Sequence, residues 1–203
     1  MSQRIDFLRE SIRNLKTTGS VARSSRFLCR RIARKIVREQ AKVVVELGPG
    51  DGAITRYILN RLEPDAQVLV FEINGVFIEK LRNTFQDPRI TLIHDSAEHL
   101  GAHLSARGIH SVDYIVSGIP FVMLPEVLAE DITRICLEWL RPGGLFIQFH
   151  YSPLLVQFYR RVFGNVTVDF IPLNIPPAFI VSCEKQQNAL SDFASICSGI
   201  QPG

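Results

Sequence analysis

The chain of 203 residues has little cysteine, a single tryptophan and no long apolar run. Its four cysteines, Cys29, Cys136, Cys183 and Cys197, stand far apart. They have neither C-x-x-C pairing nor the ligand spacing of a metal site, so a disulfide scaffold and a resident metal are not expected. Inert thiols in a reducing cytosol are the default expectation. No apolar stretch approaches the roughly 18 residues that a membrane-spanning helix takes. The N-terminus is polar and basic, without an apolar core and cleavage site, so a secretory signal is not expected. Hydrophobic residues at 46% and charged residues at 21% exclude wholesale disorder, collagen and a coiled-coil rod. A chain of this length makes one domain and buries about 70% of its unfolded surface, enough for a core without staples.

What is present is an uneven charge. Residues 1–42 carry twelve Lys/Arg and three acids, a net +9, against −6 for the remainder of a chain whose total is +3. A basic arm on an acidic body points to a polyanionic partner, either nucleic acid or an anionic membrane surface. A solvated helix face is the plainer alternative. Between Ser2 and Lys16, Ile5, Leu8, Ile12 and Leu15 recur at helical spacing beside Phe7. Arg9, Arg13 and Lys16 line another face. Such a helix can lie in a membrane interface, and Arg4, Phe7, Leu8, Arg9, Ile12, Arg13 and Lys16 are its candidate membrane-binding residues. A stripe that covers the core is the competing reading. Thr17 to Ser20 break this helix, and a second is predicted from a Ser24 or Ser25 cap to about Gln40.

From residue 42 onward, apolar runs alternate with helical patterns. Strands are predicted at 43–47, 68–72, 90–93, 112–116 and 145–149, and helices at 53–62, 75–85, 125–139 and 153–163. Arg141-Pro142-Gly143-Gly144 reads as a turn. Two late strands near 166–170 and 178–184 suggest a closing hairpin. The alternation predicts an α/β fold with helices on both faces of a mostly parallel sheet. The organisation expected is N-terminal helices over 1–41, a catalytic body over 42–185 and a loosely ordered tail over 186–203.

Ligands on such sheets bind beyond the carboxyl ends of the strands. The residues there are Glu46-Leu47-Gly48, Glu72, Asp95, Ser117-Gly118 and His150-Tyr151. Gly48, Gly50 and Gly52 have G-x-G-x-G spacing, not the G-x-G-x-x-G of dinucleotide sites. An acid at the entrance, Glu46, would repel a pyrophosphate and suits a cationic ligand. Glu72, with Ile73 beside it, can accept both hydroxyls of a ribose. Asp95 can accept from an adenine amine, with Ser96 and Ala97 offering backbone contacts. Ribose, adenine and a nearby cation together describe S-adenosylmethionine, with S-adenosylhomocysteine as product.

These motifs resemble a class I methyltransferase core: E-L-G-P-G-D-G, F-E-I-N, D-S-A and R-P-G-G in order. The resemblance implies a Rossmann-like sheet of seven strands, mostly parallel with a late antiparallel strand. F-L-R-E-S-I-R-N, T-G-S-V-A-R-S-S-R, S-G-I-P-F and F-H-Y-S-P together resemble bacterial soluble-type phospholipid N-methyltransferases. That likeness implies methylation of phosphatidylethanolamine toward phosphatidylcholine by a cytoplasmic enzyme held peripherally at the membrane. It also implies that Thr18, Gly19 and Ser20 fold over the cofactor. Ornithine-lipid N-methyltransferases look similar. The rRNA adenine dimethyltransferases are the nearest rival, but their strand-four loop carries an Asn where this chain has Ser117. Lipid is therefore favoured over RNA as acceptor, with an anionic membrane surface as partner, no metal, and a monomer.

The acceptor amine must be neutral and in line with the methyl group. Tyr151 and His150 are candidates for orienting it or relaying its proton, and Ser117 for shaping its pocket. Strand alternation lets only one of the adjacent pair face the site, and Tyr151 is preferred because its ring suits a methylated cation. A packing histidine is an equal alternative for His150. His94, His99, His103 and His110 read as surface or loop residues.

Overall fold

A computed structural model describes residues 24–187. The membrane-binding candidates, Gly19, Ser20 and most of the tail lie outside the described residues. Helices α1 (Arg26–Ala33), α2 (Ala53–Leu59), α3 (Gly75–Thr84), α4 (Leu100–Ser105), α5 (Glu126–Trp139) and α6 (Val156–Phe163) surround one sheet. Its strands are β1 (Val43–Leu47), β2 (Gln67–Phe71), β3 (Ile90–Ile93), β4 (Val112–Ser117), β5 (Leu140–His150), β6 (Asn165–Ile171) and β7 (Ala178–Glu184). The order is β3-β2-β1-β4-β5-β7-β6. β1 to β5 pair in parallel, and β7 inserts antiparallel between β5 and β6. Strand order reverses between β1 and β4, which opens a crevice above their carboxyl ends.

The strands form because V-V-V-E-L, Q-V-L-V-F and V-D-Y-I-V-S are β-branched and apolar on both faces. Period two divides them. Val45 and Leu47 meet Leu104, Leu128, Ile132 and Cys136 on one side. Val44 and Val70 meet Leu28, Ile32, Ile58 and Leu81 on the other. The Ser25 side chain caps α1 by accepting from the Leu28 N–H, and Asn74 caps α3 by accepting from the Val76 N–H.

Three expectations are corrected. The second helix stops at Ala33, because the Val37 N–H donates to the Tyr114 hydroxyl and the backbone there is extended. A helical stretch, Ala97–His99 followed by α4, stands where no helix is predicted. Arg141 to Gly144 are part of β5, with a register shift against β4. Leu28 and Ile32 of α1, and Ile36 just beyond it, are fully buried, each worth about 2 kcal/mol by area, so α1 packs on the core. Four of the basic segment's twelve cations are in ion pairs among the described residues. Arg31 and Lys35 pair with Asp169, Arg38 with Glu63 and Lys42 with Asp65.

Candidate active site

The glycine turn joins β1 to α2. Gly48, Gly50 and Gly52 all take left-handed φ values, +65°, +59° and +80°. Only glycine does so cheaply. At Gly52 there is no room for anything else, since a Cβ would lie 2.5 Å from the Phe85 ring. Gly118, after β4, is constrained in another way. Its N–H donates to the Leu47 carbonyl at 2.8 Å, and a Cβ would lie 2.6 Å from the Gly48 carbonyl oxygen. The loops after β1 and β4 therefore touch backbone to backbone and form the floor of the crevice.

An open cleft of about 350 Å³ lies above this floor, lined by Gly48, Phe71, Glu72, Ile73, Asp95, Ser96, Ala97, Ile119 and Ile132. Six of these are residues that the sequence singles out for a cofactor. Glu72 is buried, and its carboxylate accepts from the Asn74 N–H at 2.8 Å and the Gly50 N–H at 3.2 Å. It is thereby fixed at the lip of the glycine turn. The Ser96 hydroxyl caps the following turn by accepting from the Glu98 N–H, so it serves the backbone.

Asp95 has partners that the sequence reading missed. One oxygen accepts from the Ser96 N–H at 2.7 Å and lies 2.8 Å from His99 Nδ1. The other lies 2.8 Å from His103 Nε2. Burial alone would raise the Asp95 pKa. Hydrogen bonds from His103, His99 and the Ser96 N–H outweigh it and hold the carboxyl below its ordinary value. A carboxylate offers about four lone-pair sites. Three are taken, which leaves room for one donor such as a single amine N–H. The signal was available: D-x-x-x-H-x-x-x-H places the three groups at helical steps of four. His94 and His110 are exposed, as read.

Glu46 is the anomaly. It is 1% exposed, and neither carboxylate oxygen has a hydrogen-bond partner among the described residues. Thr55 stands close enough to favour the ionised form, yet its hydroxyl makes no bond of full geometry. Burial, with a smaller push from the Glu72 charge, raises the Glu46 pKa to about 8. A buried acid without a partner is costly. It stands in β1 two residues before Gly48, near Thr55 and the Glu72 charge, and suits a cationic group bound beside it.

The acceptor candidates part company. Ser117 is fully buried, and its hydroxyl accepts from the Ile119 N–H, so it holds the strand-four loop and does not line the mouth. Gln148, opposite Ser117 in β5, supports the same loop by donating to the Ile119 and Phe149 carbonyls. His150 is corrected. It is buried against α6, its Nε2 lies 3.0 Å from the Tyr159 hydroxyl, and burial lowers its pKa to about 4. That is the packing histidine, neutral and withdrawn from solvent. Tyr151 faces the other way, half exposed, edge-on to Phe149 and beside Asn174. Burial raises its pKa and Asn174 opposes the shift, so the phenol keeps its proton.

Residues 44–144 match a family model described as a methyltransferase domain. Over 179 residues the chain is 38% identical to an ornithine lipid N-methyltransferase of Singulisphaera acidiphila, spanning 87% of this chain and 93% of that protein. The chain belongs to the class I methyltransferases. A second methyltransferase relative, ribosomal RNA small subunit methyltransferase A of Acidobacterium capsulatum, is 31% identical over 101 residues, 49% of this chain and 34% of that protein. A solved methyltransferase of Streptococcus mutans in complex with SAH shares the fold, with a TM-score of 0.58 at 14% identity over 77% of this chain and 96% of that one. The cofactor of this methyltransferase is S-adenosylmethionine, and the residues present fit it. The unpartnered Glu46 suits its ammonium, Glu72 its ribose hydroxyls and Asp95 its adenine amine. Among the described residues no group of His, Cys, Asp and Glu could hold a metal ion.

Proposed function

We propose that this methyltransferase transfers methyl groups to the primary amine of a membrane-lipid headgroup. The observation that carries the reading is the likeness, over nearly its whole length, to an ornithine lipid N-methyltransferase. Ornithine lipid is accordingly the first acceptor to test and phosphatidylethanolamine the second. The strand-four loop supports the same choice. Ser117 is buried and spent on the Ile119 N–H, so it offers no side-chain amide to pair with a planar base. The likeness to the rRNA enzyme is confined to about half of the chain.

When bound, S-adenosylmethionine supplies a sulfonium methyl, and its transfer to nitrogen leaves S-adenosylhomocysteine and releases one proton per methyl. The residues of the chain position and desolvate. Glu46, Glu72 and Asp95 would fix the cofactor at three points. Tyr151, just beyond the carboxyl end of β5, would accept a hydrogen bond from the headgroup ammonium and orient the nitrogen after it loses its proton to water. Its ring face favours the cation as methyl groups accumulate.

Labelled S-adenosylmethionine tests the reading with vesicles containing ornithine lipid, vesicles containing phosphatidylethanolamine, and unmodified rRNA. Label in a lipid extract is expected and names the acceptor. Label in RNA alone would overturn the lipid reading and leave the cofactor site standing.

A further inference from the structure

Most of the large apolar side chains exposed among the described residues lie toward one end of the sheet, Val37 and Val168 apart. Phe27 begins α1, Val122 and Val127 follow β4, Leu154 follows β5, and Leu173 and Ile175 lie between β6 and β7. The connections after β4, after β5 and between β6 and β7 all lie at the carboxyl end of the sheet, the end on which the cleft opens, and the start of α1 is tied to the last of them by the Ser25–Asn174 hydrogen bond. Leu154 is 79% exposed and Ile175 86%. At the opposite end, among the described residues, only Val37 is a large apolar side chain left exposed.

We infer that this apolar rim is a docking surface that inserts into the interface of an anionic lipid bilayer, with the cleft facing the headgroups. The inference rests on the lipid reading above and deepens it, because it assigns the docking to the catalytic rim as well as to the N-terminal segment. Three observations select a bilayer as the occupant. The side chains are spread over three separate connections at one end of the sheet and the start of α1, a distribution that suits a broad fluid surface better than a single bound helix. The rim is also stiffened. Asn174, fully buried between Leu173 and Ile175, donates to the Pro176 carbonyl at 2.6 Å and accepts from the Ser25 N–H at 2.9 Å. That bond ties the start of α1 to the rim. Finally, the rim is where residues 1–23 join the body, and they carry Arg4, Arg9, Arg13, Lys16 and Arg23 against Asp6 and Glu10. Arg26 and Arg30 continue that charge as exposed residues, with Arg26 over the Phe27 ring. Apolar tips beside the exposed Arg26 and Arg30, with a segment of net positive charge joined at Ser24, complement a surface of acyl chains under anionic headgroups.

The test uses the full chain and vesicles of phosphatidylethanolamine mixed with phosphatidylglycerol. Leu154→Asp and Leu173→Asp should each lower the vesicle partition coefficient by about tenfold or more, the loss of one inserted side chain. Leu154→Phe should retain it. Affinity for S-adenosylmethionine and elution in size exclusion should not change in any of the three, which excludes misfolding. Wild-type partition by both Asp variants would overturn the inference. So would a change in oligomeric size with vesicle binding intact, which would seat a second copy of the chain on the rim. Methyl transfer to a dispersed short-chain lipid amine separates this inference from the lipid reading. If the wild type binds vesicles through the rim but methylates no lipid amine, the function fails and the docking stands. If the Asp variants match the wild type on vesicles and on the dispersed acceptor alike, the docking fails and the function stands.

Discussion

At the amino end of the sheet, Arg38 meets Glu63, Lys42 meets Asp65, Arg89 meets Asp87 and Arg141 meets Asp113. At the carboxyl end, Glu46 is buried without a hydrogen-bond partner among the described residues, Glu72 takes backbone amides, and Asp95 is held by side chains. Both ends carry acids at the strand termini. The difference is that one end completes its acids within the chain, while the other leaves the Glu46 oxygens and part of the Asp95 carboxylate open among the described residues and carries exposed apolar side chains on its connections. A protein gains nothing in stability from that arrangement, so the open capacity reports a ligand. The amino end keeps the sheet together, and the carboxyl end is preorganised around groups that arrive from outside.

The largest effect should come from removing an acid that the ligand completes. Glu72→Ala is expected to weaken S-adenosylmethionine binding by about a hundredfold, since it deletes a charged acceptor and frees the Gly50 and Asn74 N–H groups. Calorimetric titration checks it. Next is His150, which belongs to the carboxyl end by position but to the core by contact. His150→Leu should cost about 2 kcal/mol of stability by stranding the Tyr159 hydroxyl, with cofactor affinity retained. Its pKa is depressed, so the folded chain refuses a proton that the unfolded chain takes. Stability from this group is present above about 6.5 and is lost as pH falls toward 4, measurable by denaturant titration across that window. Tyr151→Phe removes the proposed acceptor beyond β5 and should lower kcat by about tenfold without changing S-adenosylmethionine affinity. Unchanged turnover on a lipid amine would remove Tyr151 from the mechanism. The smallest effect belongs to the amino end. Lys42→Ala breaks an exposed pair and should leave both methyl transfer and the melting temperature within error of wild type.

The contrast was only partly visible in the sequence. Strands were legible because β-branched runs end abruptly at glycine and acids, as V-V-V-E-L does before Gly48. The facing of His150 and Tyr151 was not. β5 is apolar on both sides, so no alternation marks its faces, and the irregular register at Arg141 to Gly144 shifts the count from the start of the strand. The helical turn after β3 was missed because its apolar positions are few. What organises it is polar, the two histidines reaching back to Asp95. The end of α1 depends on the Tyr114 hydroxyl, 77 residues away in the chain, and local pattern cannot show that. Glu46 was legible as an acid in a motif. That it is buried and unpartnered needed the structure.

Glu46 therefore carries the most direct test. Its raised pKa means that the folded chain holds a proton which the unfolded chain has lost. Stability without cofactor should fall as pH rises from 4.5 toward about 8. A cation seated against it should expel that proton. S-adenosylmethionine binding measured near neutral pH by calorimetry, in buffers of different ionisation enthalpy, should release about one proton per site in the wild type and none in Glu46→Gln. Equal proton release in the two proteins would contradict the claim that the open acids at the carboxyl end are completed by the cofactor.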